Sequence, residues 1–76
     1  MGISMKKVTK KLQGEVDRFN KKAMVGAPVR YWTGLREGDG VVSKTRTEAM
    51  VLSGHTAVVW VEGHPACIAL SHVDTL

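Results

Sequence analysis

Seventy-six residues suffice for one domain, and a domain of that size buries only about 60% of its unfolded surface. One cysteine, Cys67, rules out an intrachain disulfide, and no apolar run approaches the ~20 residues of a membrane span. The net charge of +4 is uneven: residues 1–22 carry seven Lys/Arg against two acids, whereas residues 23–76 carry four against five.

The N-terminal lysines are followed by no apolar core of a secretory signal, so the expectation is a cytoplasmic protein with no membrane partner. The basic segment admits two readings. It is the solvated face of a surface helix, or an arm that meets nucleic acid or an acidic partner.

Met5, Val8, Leu12, Val16, Phe19 and Ala23 recur at steps of three and four, which is the period of a helix with one apolar stripe. Ser4 is placed as its N-cap, and Asp17 and Lys21 as an i,i+4 pair worth ~0.3 kcal/mol. Gly14 costs about 1 kcal/mol relative to alanine in mid-helix and suggests a kink or a close contact. Asn20 and Gly26 mark the exit. A helix of about 18 residues is marginal alone in water, so the stripe must lean on another surface. Residues 1–25 are therefore read as a basic amphipathic helix and 26–76 as a small β-barrel.

Pro28 opens an extended segment, Val29 to Thr33, and Gly34 to Gly40 follows as a long, glycine-rich, mobile hairpin loop. Its G-x-x-x-G-x-G pattern lacks the Gly-Lys-Ser/Thr ending of a phosphate-binding loop. Val41 to Leu52 reads as one long strand. It is polar and small in its first half and apolar from Ala49, the character of a strand that bends to serve two sheets.

Ser53-Gly54-His55 turns the chain into its densest apolar stretch. Thr56–Val61 and Ala66–Leu70 flank a Glu62-Gly63-His64-Pro65 break and read as a β-hairpin. Ser71–Val73 is expected to make a single helical turn, and Asp74–Leu76 a closing strand.

Five short strands, a long first loop and a one-turn helix before the last strand resemble an SH3-like small barrel over Val29–Leu76. The fold class is thus mainly β with an N-terminal α-helix, a five-stranded SH3-like barrel. The acidic loop of peptide-binding SH3 domains is missing, so a proline-rich ligand is not implied. Val29-Arg30, Thr33-Gly34 and His64-Pro65 also resemble positions of the plasmid-borne trimethoprim-resistant dihydrofolate reductases, which assemble as tetramers around a shared pore. That family's V-Q-I-Y active-site motif falls on Cys67-Ile68-Ala69-Leu70, where the glutamine and tyrosine are absent. The resemblance implies architecture only.

His64, Cys67 and His72, with His55, have loose metal-ligand spacing but no Cys-x2-Cys knuckle, and Cys67 is better read as a small buried hydrophobe. No metal or cofactor is assigned. No nucleophile, base and orienting group stand together, and a barrel this small leaves little room for a ligand pocket of ~300 Å³. The expectation is a non-enzyme without a small-molecule site.

Thr56–Val61 is apolar on both faces, with Val58 and Trp60 on one side and Ala57, Val59 and Val61 on the other. Val29, Tyr31 and Thr33 alternate with Arg30 and Trp32. Two-sided burial in so small a chain requires the helix or a partner to cover the second face. Trp32, Tyr31, Val58 and Trp60 are therefore the candidate interaction residues of a homo-oligomer. The alternative is nucleic-acid binding through Lys6, Lys7, Lys10, Lys11, Arg30, Arg36, Lys44 and Arg46, with Tyr31 or Trp32 as stacking platforms. A compact frame of this size would also suit a phage or mobile-element gene.

Overall fold

The computed structural model describes the backbone of residues 2–76 and the side chains from residue 10 onward. The side chains of Met5, Lys6, Lys7 and Val8 lie outside the described residues. Helix α1 spans Gly2–Lys22 and is followed by strands β1 (Pro28–Tyr31), β2 (Val41–Lys44), β3 (Met50–Leu52), β4 (Thr56–Val59) and β5 (Ile68–Ala69). A one-turn 3-10 helix at Leu70–His72 leads into β6 (Val73–Thr75). No described helix is long and apolar enough to cross a membrane.

α1 starts before Ser4, so that serine lies inside the helix and not at its cap. The helix runs unbroken through Gly14, where an added Cβ would meet only the Arg18 guanidinium at 3.7 Å. Asp17 accepts a hydrogen bond from Gln13 Nε2 at 3.0 Å and makes no ion pair with Lys21. Lys21 and Lys22 close the last turn, where cations complement the helix dipole.

The apolar stripe docks within the chain. Val16, Phe19 and Ala23 are buried, Leu12 packs beside them, and the helix lies chiefly on β3 and β4. Asn20 fastens that contact: its Oδ1 accepts the Ala49 N–H at 2.9 Å and its Nδ2 donates to the Ala49 carbonyl at 3.3 Å. A residue read as the helix exit is thus a clamp onto the chain just before β3.

The strands form two antiparallel three-stranded sheets, ordered β2-β1-β6 and β3-β4-β5. Six strands replace the expected five because Val41–Leu52 is interrupted. β2 pairs with β1, the chain bends through Arg46–Glu48, and β3 pairs with β4. Each sheet thus receives half of the segment, as its change of character implied. Pairing does not run continuously around both sheets; an isolated Thr45–Val61 bridge links them.

Thr45 is the rivet at that joint, 1% exposed. Its N–H donates to the Ala27 carbonyl, its carbonyl accepts from Gly26 N–H, and its hydroxyl donates to the Met24 carbonyl at 3.1 Å while accepting from Gly26 N–H at 3.0 Å. The exit of α1 is held to the sheets through this one side chain and its backbone.

The central hairpin is present but short, with Val58 opposite Ala69 and Val59 opposite Ile68. Ser53 and Gly54 take positive φ values of 54° and 72°, the geometry of a tight hairpin turn. The core lies between the sheets and α1. Val29, Tyr31 and Val73 face it from the first sheet, and Ala57, Val59, Val61 and Ile68 from the second. Val29, Val59 and Val61 are fully buried, each burial contributing about 1.5 kcal/mol.

Candidate interaction surfaces

The loop Thr33–Gly40 is organised around Trp32, which gives it more order than a free hairpin loop. Trp32 Nε1 donates to the Gly38 carbonyl at 3.2 Å, and the Arg36 guanidinium sits 4.4 Å from the ring centroid in a cation–π contact. Arg36 also donates to the Ser71 carbonyl at 2.7 Å and forms an ion pair with Asp74. Gly40, at φ +64°, brings its backbone so close that a Cβ would lie 2.7 Å from the indole and 2.8 Å from the Tyr31 carbonyl oxygen.

The four candidate interaction residues separate. Tyr31 and Val58 are buried within the chain, whereas Trp32 and Trp60 are half-buried. Tyr31 packs inward and meets the His64 ring at a centroid distance of 5.9 Å. Trp32 is committed to its own loop.

Val58 lies on the opposite side of β4 from the core. It is 3% exposed yet does not join the main cluster, and its cross-strand partners are Met50 and Ala69. Met50 is 45% and Leu52 38% exposed on that same face, and strand alternation puts Trp60 there too. On the outer face of the second sheet, Met50 and Leu52 are thus the exposed apolar residues, around a buried Val58 and beside half-buried Ala69 and Trp60. Reading Val41–Leu52 as one long element hides Met50 and Leu52, which belong to the separate strand β3. The period-2 alternation about Val51 was the signal that could have found them.

The basic residues separate as well. Lys10, Lys11, Arg18, Lys21 and Lys22 are exposed on α1, and Lys44 is exposed at the end of β2. Arg46 is occupied: its Nε donates to the Val61 carbonyl at 3.1 Å, and its guanidinium reaches the His64 and Pro65 carbonyls at 3.3 and 3.4 Å. It clasps the Glu62–Pro65 turn. Arg30 is half-buried on the outer face of the first sheet, opposite Val42 and Asp74, and its Nε is buried without a hydrogen-bond partner among the described residues. Arg36 and Arg46 thus spend their donors inside the chain, although nothing in their sequence context announced it.

Cys67 and His72 both line one shallow groove of about 230 Å³ beside Trp32. His72 Nδ1 lies 3.0 Å from Ser71 Oγ. No three of His, Cys, Asp and Glu converge as a metal-binding group among the described residues. A larger open groove of about 360 Å³ lies between α1 and β6, lined by Arg18, Phe19, Lys22, Leu70, Val73 and Thr75 among others.

No protein-family model, curated protein or solved structure matches the chain. The comparisons therefore lend no support to the resemblance to SH3-like barrels or to the trimethoprim-resistant reductases.

Proposed function

We propose that this chain is a small non-catalytic interaction module that self-associates through the outer face of its second sheet. The observation that carries this reading is the exposure of Met50 (45%) and Leu52 (38%) around Val58 on the outer face of the second sheet. Pairing that face with its equivalent in a second copy removes apolar surface from water, at about 25 cal/mol per Å². The fold is read as an open SH3-like small barrel: β2 and β3 divide one segment between two sheets, and a 3-10 turn returns β6 to β1.

The test is solution mass by light scattering coupled to size exclusion, at low salt and at about 0.5 M salt, because apolar association is insensitive to screening. The wild type is expected as a stable dimer or tetramer at both salts, and Met50→Glu as a monomer with unchanged secondary structure. A monomeric wild type at micromolar concentration overturns the reading. The nucleic-acid alternative keeps the lysines of α1 and Lys44 but loses Arg36 and Arg46 to internal bonds. It requires an affinity that falls steeply with salt.

A further inference from the structure

We infer that the groove between α1 and β6 is a docking site for an extended acidic peptide, which adds as a strand to the free edge of β6. This does not rest on self-association, which uses the other sheet.

The first support is an unpaired edge. β6 ends the order β2-β1-β6, so only one of its sides is bonded. Trp32 N–H donates to the His72 carbonyl and Leu76 N–H to the Pro28 carbonyl. Those two bonded pairs bracket Arg30–Asp74 in the register. In an antiparallel ladder the intervening residues, Val73 and Thr75, then turn their backbone groups away from β1. The Val73 N–H is used by the Leu70 carbonyl. The Val73 carbonyl and both backbone groups of Thr75 remain free of backbone partners among the described residues.

The second support is what stands across the groove. α1 rests on β3 and β4 and parts from β6, leaving a cleft of about 360 Å³ with Phe19, Leu70 and Val73 in its lining. Helical spacing puts Lys11, Glu15, Arg18 and Lys22 along the flank that faces it. Arg18 and Lys22 line the groove and have no acidic partner, since Arg36–Asp74 is the one ion pair among the described residues.

A peptide fits this chemistry better than a nucleic-acid strand does. Glu15 and Asp74 also line the groove, and a phosphate at every step would be forced against them. A peptide can bring carboxylates to Arg18 and Lys22, an apolar side chain to the half-buried Leu70, and main-chain bonds to Thr75.

The experiment uses the full isotopically labelled chain and a capped peptide of roughly ten alternating valine and glutamate residues, followed by amide chemical shifts. Shifts are expected at Val73–Thr75 and Arg18–Lys22. The double variant Arg18→Glu/Lys22→Glu should weaken binding about tenfold or more, while Lys21→Glu on the far flank changes little. N-methylating the peptide's alternate amides should abolish binding in one of the two registers, a readout that needs no change to the protein. The proposal is overturned if shifts avoid Val73–Thr75, if Lys21→Glu weakens binding equally, or if both N-methylated peptides bind as well as the parent. Tighter binding of oligothymidylate through the same residues also overturns it, in favour of nucleic acid.

Discussion

Replacing Asn20 with alanine tests the docking of the helix most directly. The side chain satisfies both backbone groups of Ala49, accepting its N–H at 2.9 Å and donating to its carbonyl at 3.3 Å, and neither group has another partner among the described residues. Each polar group left unpaired costs about 1–3 kcal/mol when buried. Asn20 is only half-buried, so water recovers part of this and about 2 kcal/mol is expected for the pair. With an m-value near 1 kcal/mol/M in urea, the midpoint should fall by about 2 M. Asn20→Asp keeps the acceptor for the Ala49 N–H but turns a donor into an oxygen facing the Ala49 carbonyl, so it should be destabilised without reaching the alanine value. The assay is urea unfolding of both variants by circular dichroism. A midpoint shift below about 0.5 M for Asn20→Ala would refute the claim that this side chain holds α1 to the second sheet.

Gly14→Ala should stabilise the chain by about 0.5–1 kcal/mol, because the helix is regular there and a methyl meets only the tip of Arg18; thermal melting should rise by several degrees. Gly40→Ala should cost about 1–3 kcal/mol, through a positive φ and a clash with the Tyr31 carbonyl, and tryptophan fluorescence should report a disturbed Trp32. Thr45→Val keeps the shape but deletes the hydroxyl. Because Gly26 N–H retains the Thr45 carbonyl and the Met24 carbonyl retains the Ala27 N–H, only about 1 kcal/mol should be lost in denaturant unfolding.

Much of the architecture was readable in the residues, because it depends on local patterns. The stripe from Leu12 to Ala23 has a period of 3.6, and it makes the buried face of α1. The change from polar to apolar along Val41–Leu52 marked a segment shared by two sheets, and the Ser53-Gly54 turn marked where it reverses. These signals sit within a few neighbouring residues and need no knowledge of what lies across the molecule.

Tertiary structure alone decided which polar and aromatic side chains remain free. Arg36 and Arg46 look like surface cations in the sequence, yet each is spent on carbonyls or a carboxylate brought from 15 to 38 positions away in the chain. Asn20 looks like a helix terminator and acts as a clamp at a separation of 29 residues. Whether α1 covers both faces of β4 was also beyond local reading, since a hydrophobic stripe specifies burial and not the surface that provides it. The apolar composition of the chain determined that surfaces must pair; only the long-range geometry left Met50, Leu52 and the edge of β6 outside the pairing.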